Sequence, residues 1–375
     1  MATPLVYMPV LRSRQEENKI LNAFEFPEGM YPCVEIVKEL DRQPVTMRKG
    51  VRVVPKKLKT FDEVYLGLLS AIKSKHVLVD IPVHFKTQKN TELFVIRFMQ
   101  QVARNRKERT KYMLKLTSLA EKVIPVISTY SEVNNELNSI VLQEKDLRTV
   151  FKRLGFRTFP GTFSNDLEQI KKVARPGDYV ILDIEDYIAD AGDEDMQPII
   201  EELEDFDACD VIIVKSAIPE STTNVGLEHE KVVKQADNRL LRNFALLNGE
   251  GFGDYAGVKK DKISKGGSVS PGLIFYEPVD NEYFGFKGEP KETNSEKFLE
   301  YQRTIAPAVF SSEPSRKMNA SGKPFLSGDN HGWTTIKNIK DKKEPGSPAK
   351  FKGIAIDHYL HCMRTKIKSG DFPTA

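Results

Sequence analysis

Acidic residues recur toward the ends of short β-branched runs in this chain. Glu35 lies in "YPCVEIV", Asp80 in "HVLVDIPV", and Asp183 and Glu185 in "DYVILDIE". Successive side chains of a strand point to opposite faces, so the apolar row of each run assigns the other face by parity. In "YVILDIED", Val180, Leu182 and Ile184 form the row suited to packing against helices. Tyr179, Ile181, Asp183 and Glu185 then share the opposite face. In "VLVDIPVH", Val77, Val79, Ile81 and Val83 form the apolar row and leave Asp80 and His84 opposite. Pro32, Val34 and Ile36 do the same for Glu35. Arg12 ends "LVYMPVLR", Lys215 lies near the end of "DVIIVKS", and Asp254 sits in "GFGDYAGV".

Brought to one place, these groups carry a definite chemistry. Crowded carboxylates in a low-dielectric site cannot all stay ionised without a cation, which must be a divalent ion or neighbouring Lys and Arg. Glu35, Asp80, Asp183 and Glu185 would supply oxygen ligands suited to Mg²⁺ or Mn²⁺ rather than zinc. Such an ion polarises a phosphoryl group and activates water. Arg12 and Lys215 would stabilise the developing charge, so the expected activity is metal-assisted hydrolysis of a phosphate-bearing substrate. The competing expectation is a satisfied salt-bridge network. Asp254 poses the same choice, because a turn explains Gly251, Gly253 and Gly257 but not the acid among them.

The elements that would position these residues follow an alternating pattern. Candidate strands cover 5–12, 31–37, 76–83, 123–128, 156–162, 178–185 and 210–216, and "GFGDYAGV" supplies an eighth. Helical spacing lies between most of them, as in "FDEVYLGLLSAIKS" with Val64, Leu68 and Ile72, and in "NTELFVIRFMQQVARN". Near-continuous apolar strands separated by helices are what a parallel sheet covered on both faces requires. Eight such units in residues 1–260 predict an α/β fold, a (β/α)8 TIM-like barrel whose C-terminal strand ends carry the site. An open doubly wound sheet is the alternative. No GxGxxG and no GxxxxGK[ST] supports a nucleotide-binding version of it.

Residues 261–375 follow a different grammar and are expected to form an appendage, able to act as a lid, without a core of its own. "GLIFYEPVDNEYFGFKG" predicts an aromatic hairpin, and "NSEKFLEYQRTIAPAVF" a helix capped by Ser295. "SSEPSRKMNASGKP" and "KDKKEPGSPAK" are expected to be connectors, and "IDHYLHCMRTKI" a closing helix. His331, beside Asp329 and the only tryptophan Trp333, is a candidate lid residue or part of a surface turn. His358 and His361 share a helix face and are expected to be structural.

Composition narrows the function classes. The chain has 375 residues and a net charge of +3, too small by itself to imply nucleic-acid binding. The basic runs "MRKGVRVVPKKLKT" and "ARNRKERTKYMLK" and the acidic run after Asp183 are expected to be solvated faces, which leaves a nucleic-acid partner the weakest expectation. Cys33, Cys209 and Cys362 form no CxxC pair, no secretory signal opens the chain, and no apolar run is long enough to span a bilayer. A cytoplasmic protein without membrane association is expected. No GxSxG supports a serine hydrolase.

The opening "YMPVLRSRQEENKIL", the strand "YPCVEIVKE", "FGDYAG", the aromatic hairpin, "FLSGDNHGW" and the His-containing last helix together resemble the phage "beta protein" family of prophage and mobile-element barrel proteins. The family pattern ends in adjacent histidines, whereas here His358 and His361 are separated. The resemblance implies a role in phage–host conflict, as a defence component or as the partner of a protein encoded nearby, such as a toxin or nuclease. By residue it implies roles for Arg12, Glu35, Asp254, Tyr255, Lys287 and Asp329. The alternative to an enzyme is a non-catalytic barrel that binds a ligand or partner, with the aromatic hairpin as its anchor.

Overall fold

A computed structural model describes residues 4–39, 46–48, 51–53, 59–260, 262–263 and 270–372. Eight strands close into a parallel barrel: β1 (Tyr7–Arg12), β2 (Cys33–Glu35), β3 (Val77–Asp80), β4 (Val123–Ser128), β5 (Gly155–Thr158), β6 (Tyr179–Asp183), β7 (Asp210–Val214) and β8 (Gly251–Asp254). Each pairs with its neighbour in the chain's strand order, and β8 closes on β1 through Pro9 opposite Asp254. The fold is thus the (β/α)8 barrel that the alternation of apolar runs and helices implies. Among the described residues no helix is long and apolar enough to cross a membrane.

Parity along the strands builds two cores. Met8, Val10, Cys33, Leu78, Val126 and Ile181 are among the side chains that fill the barrel interior. Val34, Val77, Val79, Val180, Leu182 and Ile213 face the surrounding helices. Burying both faces is what makes these strands read as almost continuous apolar runs. In the helix Phe61–Ala71 the inward face is Phe61, Tyr65 and Leu69, one position on from the Val64 and Leu68 stripe. The aromatic rings take the deeper positions because they bury more surface.

Beyond the barrel, β9 (Gly272–Glu277) and β10 (Glu282–Lys287) form the expected hairpin. The short strand Lys231–Val232, from the loop after β7, joins β10 as a third member. Several expectations here need correction. Thr293, not Ser295, caps the next helix through a reciprocal capping box with Glu296. "SSEPSRKMNASGKP" is no connector, because Ser312 caps a helix over Glu313–Ala320 with Pro314 in its first turn. "GDNHGW" also leads into a helix, His331–Lys340, capped by Asn330. The C-terminal helix Pro348–Ser369 then packs on β9 and on the helices His331–Lys340 and Gln15–Ala23. The apolar cluster around the outside of the barrel continues without a break into these elements, through Tyr7, Tyr276 and Tyr359.

Candidate functional site

At the C-terminal end of the barrel, Glu35, Asp80 and Asp183 converge on a residue that strand parity was not applied to, Arg157 of β5. Its Nη1 donates to Glu35 Oε1 at 2.9 Å and to Asp80 Oδ2 at 2.7 Å. Its Nη2 donates to Asp183 Oδ2 at 2.5 Å and to the Tyr255 hydroxyl at 3.0 Å. Arg12 Nε donates to the other Glu35 oxygen at 2.8 Å, and Arg109 Nη2 to the other Asp80 oxygen at 3.0 Å. Asp183 Oδ1 accepts from the Glu185 amide at 3.2 Å, and Lys260 Nζ reaches Asp183 Oδ2 at 3.0 Å. All six carboxylate oxygens therefore have a donor.

The electrostatics follow from this closure. Burial alone would raise the Glu35 carboxyl, but Arg12, Arg157 and Lys260 outweigh it and hold it at about 2. Asp183 is likewise held well below the usual carboxylate range, because Lys260 and Arg157 overcome its burial. Lys260 is raised: its desolvation is outweighed mainly by Asp183 and the Tyr255 hydroxyl. Three carboxylates face four cationic groups (Arg12, Arg109, Arg157 and Lys260), leaving one positive charge in excess.

The shared point of the three carboxylates is thus a guanidinium. As arranged, the carboxylate oxygens are engaged by N–H donors, and among the described residues no three His, Cys, Asp or Glu group to hold a metal. Beside the cluster opens a cleft of about 20 Å³, lined in part by Arg12, Arg14, Glu17 and Tyr255, which is room for about one water.

Other expected site residues lie elsewhere. Asp254 is not among the inward acids. It faces out through the barrel wall, where its carboxylate accepts from Tyr7 at 2.7 Å, from Tyr359, and from the Ala256 amide at 2.8 Å. Burial pushes it up to about 6 against these three hydrogen bonds. Lys215 continues the outward face of β7 and binds the Tyr187 carbonyl at 2.5 Å and Asp237 at 2.9 Å. Glu185 is exposed at the mouth rim with φ of 49°, so it does not join Asp183. Lys287 ends β10 in the sheet outside the barrel. Asp329 and His331 flank the start of an outer helix, with His331 exposed.

The histidine pair is structural. His358 stacks on Phe275 with centroids 4.0 Å apart, faces the Tyr276 carbonyl at 2.9 Å, and faces the Asn330 side-chain nitrogen at 2.8 Å. Since a carbonyl only accepts, Nε2 carries the proton and Nδ1 accepts from Asn330. Burial lowers this ring to about 3, so it stays neutral. Leu273, Phe275, Tyr276, Tyr283 and Phe286 of the hairpin are all buried, so the hairpin is packed rather than offered to a partner. Cys33 is buried inside the barrel and its thiol is pushed well up by desolvation, which suits a packed side chain and not a nucleophile.

Of the cluster's cations, only Arg12 was read from the sequence; Arg109, Arg157 and Lys260 were missed. Arg109 comes from "ARNRKERTKYMLK" yet is fully buried, and Arg106 of the same run binds Glu136 at 3.0 Å behind the surface. Half of the other basic run, "MRKGVRVVPKKLKT", lies outside the described residues. Arg157 was findable: Phe156 and Thr158 flank it, and Phe156 belongs to the outer core, so parity sends Arg157 inward.

At the rim, the Phe159 ring is a shared neighbour of three groups. The His84 ring is 4.9 Å from it, the Arg157 guanidinium 5.8 Å, and Lys260 Nζ 6.0 Å. His84 Nε2 and Arg157 Nε are both buried without a hydrogen-bond partner. Unpaired buried polar atoms are costly, and two of them beside one aromatic ring at a barrel mouth are unusual. Burial lowers His84 from its ordinary value, opposed by Glu132 and Glu185.

Comparison with known proteins adds one finding. The family model described as "Beta protein" matches residues 7–364. No curated protein and no solved structure matches the chain.

Proposed function

The chain belongs to the Beta protein family, and from that premise we propose that its barrel is a recognition module that binds an anionic ligand at the mouth. The observation that carries this reading is the pair of unpartnered buried atoms, Arg157 Nε and His84 Nε2, beside a layer with one cation in excess. An anion beside Phe159 would accept from Arg157 Nε–H and Lys260, and from Nε2–H of a protonated His84 whose Nδ1–H faces Glu132 Oε2 at 3.5 Å. Lys260 is the least buried of the cluster's cations, its side chain 30% exposed, and Asp183 has Arg157 as a second partner.

Metal-assisted hydrolysis is the weaker reading, because the carboxylates it needs are engaged by guanidinium groups. The exposed Glu185, strained at the rim, leaves a catalytic carboxylate available only outside the cluster. In phage–host conflict, the role implied by the family, a recognition barrel would report its ligand to a protein partner encoded nearby.

The test is thermal stability against a panel of nucleotides, small dicarboxylates, Mg²⁺ and Mn²⁺, in wild type and in Lys260→Met and His84→Phe variants. Stabilisation by anions that both variants lose supports the reading. Stabilisation by the metal ions alone, or anion effects that both variants retain, overturns it.

A further inference from the structure

A cavity lies away from the carboxylates, in the loop that follows β7. Its volume is about 150 Å³, and its lining includes Ser221, Thr222, Thr223, Lys231, Lys234 and Glu228. That volume is about five water molecules' share of liquid, enough for a phosphate group. Thr222 lines this cavity, and its Oγ1, shut off from solvent and without a hydrogen-bond partner, reaches a bound group when the side chain turns. Lys231 and Lys234 bring two positive charges against the single carboxylate of Glu228. In parallel eight-stranded barrels the loops after the seventh and eighth strands are where phosphate groups are commonly held.

The eighth strand contributes here as well. Lys259, just after β8, donates through Nζ to the Glu220 carbonyl at 3.0 Å and the Thr222 carbonyl at 2.6 Å. It pins the start of the loop, while its neighbour Lys260 reaches into the mouth on Asp183. One two-residue segment therefore ties the cavity wall to the barrel mouth.

We propose that this cavity is a binding site for a phosphate group, with the Thr222 hydroxyl, Lys231 and Lys234 as its donors. It is separate from the mouth and does not depend on the reading of that site. Lys259 is a positioning residue that holds the loop.

Inorganic phosphate is the probe, with binding followed by calorimetry on the full chain. Wild type is expected to bind, Thr222→Val and Lys231→Ala/Lys234→Ala to weaken binding by roughly tenfold or more, and Lys260→Met to retain this binding. Lys231 and Lys234 are exposed, so that double variant keeps the fold, and its unchanged melting curve is the control. No phosphate binding in wild type, or equal binding in the cavity variants, overturns the proposal. Binding lost in Lys260→Met but kept in the cavity variants assigns the phosphate to the mouth, and also overturns it.

Discussion

Asp254 and Tyr255 are neighbours in the chain and lie on opposite sides of the barrel wall. The carboxylate of Asp254 is bound outside by the hydroxyls of Tyr7 and Tyr359, while the hydroxyl of Tyr255 accepts from Arg157 inside. The motif "FGDY" thus serves two environments at once. Its acid fastens the C-terminal helix to the barrel, and its tyrosine completes the charged layer at the mouth.

The outward acid makes stability depend on pH in a defined window. Asp254 is raised to about 6 in the folded protein against about 3.9 when unfolded, so its contribution is fully present below pH 4 and is lost as pH rises through 6. The loss amounts to about 3 kcal/mol. Asp357, also pushed up to about 6 by burial, acts in the same window, so the difference between wild type and Asp254→Asn isolates the residue. Urea unfolding from pH 4 to 7 is expected to show a flatter profile in the variant. Parallel profiles would reject this account of Asp254.

Glu35 and Asp183 act in the opposite sense. Their folded values are depressed, so they contribute stability above about pH 4 that is lost as pH falls toward 2. Arg157→Met removes the one cation that Glu35 and Asp183 share with Asp80 and leaves three buried carboxylates without that partner, at a cost of about 3–5 kcal/mol or more. In that variant Glu35 keeps Arg12 and Asp183 keeps Lys260, so both are depressed less than in wild type and less stability is lost between pH 4 and pH 2. Urea unfolding at pH 3 and pH 6 measures the difference, and an equal acid loss in both proteins would reject it.

Gly257 turns the chain from β8 toward the C-terminal elements at φ of 73°, and a Cβ there would sit 2.6 Å from Cγ of Tyr359. Gly257→Ala is expected to destabilise by more than the roughly 1–2 kcal/mol of left-handed backbone alone, because the ring is fixed by Asp254. Denaturant midpoints measure the effect, and a cost below about 1 kcal/mol would show that the helix yields instead.

Glu185 has a left-handed backbone without a glycine's freedom, and its side chain is exposed at the mouth. Glu185→Gly is expected to stabilise by up to about 1 kcal/mol, the relief of strain less the added entropy of the unfolded chain. A gain in melting temperature together with weaker ligand binding at the mouth would mark the strain as functional. A loss of stability would mean that the side chain holds the rim.

Much of this protein is legible in its sequence. The eight strands are marked by apolar runs because a sheet buried on both faces needs them, and parity within a run is a local property. That is why Glu35, Asp80 and Asp183 could be aimed inward from the letters alone, and why the aromatic hairpin was recognisable from its turn. Helix starts were harder, since Thr293 caps its helix two residues before the serine expected to, and Ser312 precedes a polar stretch that resembles a loop until its capping bond is seen.

What the sequence by itself determined is therefore the barrel, its strand parity and the inward acids. Only the tertiary structure decided how those acids are neutralised. Arg12, Arg109, Arg157 and Lys260 come from four separate parts of the chain, and Arg109 from a basic run that looks solvated. The side to which Asp254 turns was also settled there. It follows from β8 registering against β1, which places Tyr7 beside it, and from the docking of Tyr359 more than a hundred residues later. Periodicity carries information over a few residues, whereas charge pairing in a closed barrel depends on which distant strand ends meet.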